Sequence, residues 1–353
     1  MRIALIASSR FPVSEPFAGG LEAHTWSLAH GLGRRGHEVT LFAAPGSDPV
    51  LNVRELAVNR ARLSQAARSD VSMTSESWVQ EHHAYLSLML ELADSDVDVV
   101  HNNSLHYLPV AMAGSLPVPV VTTLHTPPTP WLESAIQAPR SCQVAFAAVS
   151  RHTEQAWRHL VPDATVVPNG IDVERWRQGR GGGPVVWSGR LVPEKAPHLA
   201  AQAAVLAGLP LRMAGPMLDR GYFDEQVRPL LGHGVEYVGH LRTNDLVDLV
   251  GQASASLVTP VWEEPYGLVV AESLSCGTPV AGFARGALPE LIGRQHGRLV
   301  PGDDVTALAA ALREAVELDR DAVRAYAVQT CSVEAMVDAY ERLYVGQQVE
   351  QAA

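Results

Sequence analysis

Glu264 and Glu272, separated by seven residues that include Pro265-Tyr266-Gly267-Leu268, put two carboxylates at the mouth and on the first turns of one predicted helix. The apolar run Ala255-Ser256-Leu257-Val258-Thr259-Pro260 before them reads as a strand, and the helix formers from Leu268 onward complete a strand-loop-helix unit. Backbone N–H groups near Gly267 to Val269 fall before any helix carbonyl that could accept them, so they can receive an anion. Glu264 stands before that anion site and Glu272 about two turns inside it. Carboxylates there would repel a bare phosphate, so their targets are neutral hydroxyls on either side of it. A sugar joined through a diphosphate to a ribose has that outline.

A second group of residues carries positive charge to the same chemistry. The strand Val185–Ser188 runs into Gly189-Arg190-Leu191-Val192-Pro193-Glu194-Lys195, and Lys195 is the chain's single lysine. A compact ammonium beside a phosphate is a specific requirement that arginine does not meet equally well. Arg190 and Lys195 together can neutralise the charge that grows on a departing diphosphate. His125 ends an apolar strand and precedes Thr126-Pro127-Pro128, which aims its imidazole from the strand's carboxyl end toward a cleft. His101, Asn102 and Asn103 end another strand and are expected to line the acceptor side of that cleft.

These motifs resemble those of retaining glycosyltransferases of the glycogen-synthase and sucrose-synthase type, family 4-like and group 1. The resemblance implies the α/β GT-B fold, in which two doubly wound Rossmann-like domains face a central cleft and a C-terminal helix crosses back to the first domain. It implies that Glu264 meets the donor sugar's hydroxyls and Glu272 the ribose, while Gly267 and the backbone at Leu268 and Val269 hold phosphate. The pair Gly19-Gly20 resembles the family's double-glycine loop, where small residues admit the donor diphosphate or the acceptor. His125 would contact the donor sugar near its reacting carbon, and Gly239 and Leu241 would pair with the nucleotide base. Arg190 and Lys195 match a Gly-Arg-Leu-x-x-x-Lys setting, although Ala196 follows where glycine is usual.

The implied activity is hexose transfer, with retention and without a metal, from a nucleoside-diphosphate sugar to a hydroxyl acceptor of unspecified kind. A UDP-sugar is favoured and a GDP-sugar comes next; the nucleotide-sugar is a co-substrate and no cofactor is expected. The rival readings are a phosphorylase-like or reversible synthase activity, and a non-catalytic nucleotide-sugar-binding protein.

Composition narrows the field further. The 353 residues suit two domains, and 27 Lys plus Arg against 38 Asp plus Glu give a net charge of −11, which argues against a nucleic-acid partner. Three scattered cysteines, Cys142, Cys276 and Cys331, form no disulfide framework, and a reducing cytoplasm is the expected compartment. No Asp, Glu, Lys or Arg occurs from Ser104 to Leu132, but Pro109, Pro117, Pro119, Pro127, Pro128 and Pro130 rule that stretch out as a membrane helix. Arg54, Arg60, Arg62 and Arg68 are diluted by Glu55 and Asp70, so a solvated helix is favoured over a peripheral membrane contact. No Gly-x-Gly-x-x-Gly follows the first strand, and Asp94-Ser95-Asp96 lies before a buried strand rather than at its exit, where it reads as a solvated turn.

Continuous apolar runs at Ile3–Ala7, Glu38–Ala43, Val97–His101, Pro119–His125, Val144–Ser150 and Thr165–Val167 predict parallel strands covered on both faces. The pattern repeats at Val185–Ser188, Leu211–Ala214, Val235–Val238, Ser256–Thr259, Pro279–Phe283 and Arg298–Val300. The glycine-rich stretch Gly179–Pro184 suggests a hinge within a linker over 168–184. The expected units are an acceptor-side domain over 1–168, a nucleotide-sugar domain over 169–331, and a crossover helix with its tail over 332–353.

Overall fold

A computed structural model describes residues 1–56, 58–138 and 144–352; Cys142 lies outside them. Two all-parallel sheets form the molecule. The first has the order β3-β2-β1-β4-β5-β6-β7 and the second β10-β9-β8-β11-β12-β13. Strands β1 (Arg2–Ile6), β2 (Glu38–Ala43), β3 (Val53–Glu55), β4 (Val99–Asn102), β5 (Val120–Leu124), β6 (Val144–Ala148) and β7 (Thr165–Val166) build the first sheet. The second contains β8 (Val185–Ser188), β9 (Leu211–Ala214), β10 (Val235–Gly239), β11 (Ser256–Val258), β12 (Val280–Phe283) and β13 (Gly297–Val300). Strand order reverses beside β1 in one sheet and beside β8 in the other, which opens a crevice at the carboxyl ends of each.

Strand β1 illustrates why these runs are apolar at every position. Ile3 and Leu5 pack on one face of the sheet with Leu28 and Leu32, while Ala4 and Ile6 pack on the other with Leu88 and Met89. Five helices position the site: α1 (Gly20–Arg34), α2 (Glu76–Ala93), α3 (Pro130–Gln137), α4 (Leu268–Ser275) and α5 (Val333–Ala352). Helix α5 leaves the second half of the chain and buries Met336, Val337, Tyr340 and Tyr344 against the first sheet. Strand β3 was not foreseen: it is a three-residue edge strand with Arg54 and Glu55 exposed, too short and too charged to read as a strand.

The glycine-rich stretch is not the hinge. Gly179, Gly181 and Gly183 donate backbone hydrogen bonds to Cys276, Gly251 and Gln252, which ties the segment to the second sheet's helices. The chain instead passes between the two sheets at Pro168–Ile171 and again at Cys331–Val333. These two passages run side by side, with Ile171 N–H donating to the Cys331 carbonyl and Val333 N–H to the Ile171 carbonyl.

Candidate active site

The carboxyl ends of the two sheets face each other across a cavity of about 360 Å³. Its walls come from the loop after β1, from His125 after β5, from Arg190 and Lys195 after β8, from His240 and Leu241 after β10, and from 262–272. The halves touch around it. Arg175 pairs with Glu15 at 2.6 Å, and His240 Nε2 donates to the Phe17 carbonyl at 2.9 Å. The Ser150 and Thr153 hydroxyls donate to the Pro265 carbonyl at 2.6 and 3.1 Å.

On the second half, Gly267 begins α4 with φ of 98°, a conformation that favours glycine, and delivers the N–H groups of Leu268 and Val269 to the cavity. Gly286 packs so closely on Glu264 that a Cβ there would lie 2.2 Å from the Glu264 carbonyl oxygen. The next residue's N–H, on Ala287, donates to the same carbonyl at 2.8 Å, so the backbone of Glu264 is clamped. The Glu264 carboxylate pairs with the Lys195 ammonium and accepts from Trp262 Nε1 at 3.1 Å. Lys195 Nζ also lies 5.0 Å from the Trp262 ring centroid, within cation–π range. Lys195 was expected to await a phosphate with no protein carboxylate as its partner; without ligand it is instead held by Glu264. Arg190 reaches Glu194 at 3.5 Å and approaches Gly19, where a Cβ would lie 3.7 Å from its Cδ. A Cβ on Gly20 would come to 3.1 Å from Leu268 Cδ1, so the double-glycine loop lies directly against the start of α4.

Glu272 lines the same cavity, and burial pushes its carboxyl up to about 7. No protein group among the described residues hydrogen-bonds or ion-pairs with it. Leu241 also reaches the cavity. Gly239 does not: its carbonyl accepts Gly215 N–H at 2.9 Å at the end of the sheet, and its neighbour His240 faces the cleft.

On the first half, His125 Nε2 donates to Asn103 Oδ1, which leaves Nδ1 as a lone pair. Asn103 Nδ2 in turn donates to Thr25 Oγ1 at 2.8 Å, so α1 fixes the imidazole's orientation. Burial, with His24 and His101 nearby, holds His125 well below the ordinary histidine range and keeps it neutral. The expectation that His101, Asn102 and Asn103 line the acceptor side is wrong. All three are fully buried beneath the cavity. His101 is held between the Tyr344 hydroxyl at 2.7 Å and Thr123 Oγ1 at 2.8 Å, where it docks α5. Asn102 Oδ1 accepts from Ser104, and Asn103 acts only through His125.

Glu22 and His24 are among the cavity residues that escaped the sequence reading. Glu22 is 6% exposed, and its carboxyl is raised by burial and drawn back down by backbone bonding and by Arg190 and Arg10. His24 is also buried, its ring edge-on to His125 at 5.0 Å, with burial lowering it to about 4. Neither ring nitrogen is in hydrogen-bond geometry with a partner among the described residues, although Asn103 is near enough to draw the ring's pKa partly back up. The helical spacing of Leu21, Leu28 and Leu32 places His24 on the core face, which hid it among packing residues. Asp94-Ser95-Asp96 is remote from the cavity, with Asp96 paired to Arg2. Among the described residues no three His, Cys, Asp or Glu side chains cluster as a metal site, and no helix is long and apolar enough to cross a membrane.

Two facing parallel sheets, a helix crossing back and a phosphate-ready helix start define a GT-B glycosyltransferase. Residues 18–175 match the family model of Glycosyltransferase Family 4, and 176–340 match that of Glycosyl transferases group 1. The chain belongs to these group 1, family 4-like glycosyltransferases. It is 27% identical to glycogen synthase of Mycobacterium tuberculosis, over 90% of this chain and 86% of that protein. It is likewise 27% identical to phosphatidyl-myo-inositol mannosyltransferase of Mycolicibacterium smegmatis, over 91% and 86%. In fold it is similar to HepE of Anabaena, solved with UDP-glucose, with a TM-score of 0.78 at 18% identity, covering 98% of this chain and all of that one.

Proposed function

We propose that the cavity takes a nucleoside-diphosphate hexose, UDP-linked before GDP-linked, and transfers the hexose with retained anomeric configuration to an acceptor hydroxyl. The observation that carries this reading is Glu272, a cavity carboxylate raised to about 7 with no partner among the described residues, on the helix whose first residues line the cavity together with Arg190 and Lys195. A vicinal diol supplies what that carboxylate lacks, two neutral donors, and a ribose has one. The diphosphate then lies against the start of α4, where Leu268 and Val269 donate and Arg190 and Lys195 take up leaving-group charge. Lys195, already tied to Glu264, moves between carboxylate and phosphate, and Glu264 turns to the sugar's hydroxyls. His125 presents its Nδ1 lone pair to the sugar beside the reacting carbon. In the front-face route the acceptor hydroxyl approaches from the side on which the diphosphate leaves and gives its proton to that phosphate, so no metal is needed. The relatives named for glycogen synthesis and for mannosyl transfer are compatible with a hexosyl donor of either base.

Calorimetric titration with UDP and with GDP tests the assignment. The parent binds one of them, and Glu272→Gln weakens it by about 1.5–3 kcal/mol through loss of a charge-assisted hydrogen bond. Glu264→Gln keeps nearly all of that affinity because its partner, the hexose, is absent. Loss of affinity in Glu264→Gln with Glu272→Gln unaffected contradicts the two roles.

A further inference from the structure

Glu290 joins the two halves at a place outside the cavity wall. Its Oε2 accepts from Arg151 N–H at 3.0 Å and its Oε1 from His152 N–H at 2.6 Å. One carboxylate of the second half thus takes the first two backbone donors of the helix Arg151–Trp157 in the first half. Those donors have no carbonyl within their own helix to bond, and the helix dipole favours negative charge at that end. The inner part of the same contact is buried. Ser150 and Thr153 give their hydroxyls to the Pro265 carbonyl, and Glu290 completes the contact on its exposed side.

Each end of this contact leads to a group of the active site. In the second half, Glu290 belongs to the short helix Leu288–Leu291, which follows Gly286 and Ala287, the two residues that clamp the Glu264 backbone. Glu263, on the same loop as Glu264, accepts from Gly286 N–H at 2.8 Å and lies 3.6 Å from the His152 ring. In the first half, the helix ends in the fully buried Trp157, whose Nε1 donates to the Thr126 carbonyl at 2.8 Å, next to His125. Strands β5 and β6 pair as far as Leu124 with Ala148, so His125 and Ser150 leave neighbouring strand ends. A seven-residue helix therefore connects the loop of Glu264 to the loop of His125, and these two groups enter the cavity from different halves of the molecule.

We propose that Glu290 is a positioning residue for transfer: seated on the first turn of the helix Arg151–Trp157, it holds the Glu264 loop in register with His125. Glu290 does not line the cavity, so it acts through those loops and not on the donor itself. The inference rests on the glycosyl-transfer reading. Two substitutions break the contact from opposite sides. Glu290→Ala removes the acceptor. Arg151→Pro removes one donor at the first helical position, where proline is well accommodated, and Ser150 before it, at φ −159° and ψ 167°, already has the extended backbone that precedes a proline. The measurements are amide hydrogen exchange at 151–152, calorimetric affinity for UDP and GDP, and nucleotide release from UDP-glucose or GDP-mannose with water, methyl α-glucoside or maltotriose as acceptor. Glu290→Ala is expected to speed exchange of the His152 amide at least about fivefold and to leave nucleotide affinity within about twofold of the parent. Its kcat per folded molecule falls roughly tenfold to a hundredfold while donor KM changes little, because the reacting groups are misplaced and the second half still binds nucleotide. Arg151→Pro lowers kcat in the same sense, Glu290→Gln recovers part of it through its one amide oxygen, and the Glu290→Ala, Arg151→Pro double variant is no slower than Glu290→Ala alone. The proposal is overturned if kcat per folded molecule stays at the parent value, if the two losses add, or if kcat falls only in step with nucleotide affinity. Unchanged amide exchange in Glu290→Ala removes the contact itself. A parent that releases nucleotide from neither donor defeats the transfer reading, and the positioning role with it, whatever the exchange shows.

Discussion

At the scale of single residues, the site combines a paired Lys195 and Glu264 with a carboxylate, Glu272, that has no partner among the described residues. Glu272 is the clearest case. Its carboxyl is raised from 4.5 to about 7 by burial, so the folded chain holds a proton that the unfolded chain releases sooner. The stability this gives is present in full below the ordinary carboxylate pKa and is lost as pH rises through about 7. Glu272→Gln does not titrate. Chemical denaturation across pH 4 to 8 is therefore expected to show the Gln variant gaining on the parent, by about 3 kcal/mol once pH passes 7. A gap that does not change with pH contradicts the burial of that carboxylate. The same substitution weakens nucleotide binding, so stability and affinity move in opposite directions. Glu264, Glu272, Arg190, Lys195 and His125 were legible in the sequence because each stands at a fixed offset from a strand or a turn. Trp262 and the Lys195–Glu264 pair were not, because the two partners lie 69 positions apart and only the fold joins them.

Among elements, strand runs were easily read because burial on both faces leaves no polar alternation to confuse with a helix. Residue positions at strand ends were less legible. A polar cluster such as His101-Asn102-Asn103 reads equally well as a cleft wall or as a docking point for another element, and the sequence does not say what covers it. Here α5 covers it, through Tyr344 on His101 and Tyr340 on Thr123 at 3.0 Å. Tyr344→Phe keeps the ring but leaves His101 Nδ1 without its partner. Thermal or urea unfolding is expected to show a loss of about 1–3 kcal/mol, while nucleotide affinity stays at the parent value. A fall in affinity without a fall in stability would return His101 to the cleft. The glycine-rich stretch taught a similar lesson. Glycines mark close backbone approach as readily as flexibility, and Gly179 to Gly183 are bonded to the helices beside them.

For the whole molecule, the two sheets contribute unequal chemistry to one cavity. The second half brings Arg190, Lys195, Glu264 and Glu272 to the cavity, the first brings Glu22, His24 and His125, and contacts such as Arg175–Glu15 and His240–Phe17 close the gap between them. Neither half holds a complete site, so transfer requires both. The most direct measurement follows transfer itself by proton NMR, with UDP- or GDP-α-hexose, a panel of hydroxyl acceptors and excess EDTA. The account predicts a product whose new linkage is α, formed at the same rate with or without chelator, and a rate at least about tenfold lower in Lys195→Ala. A β-linked product, activity that stops in EDTA and returns with magnesium or manganese, or a Lys195→Ala variant as fast as the parent would contradict it.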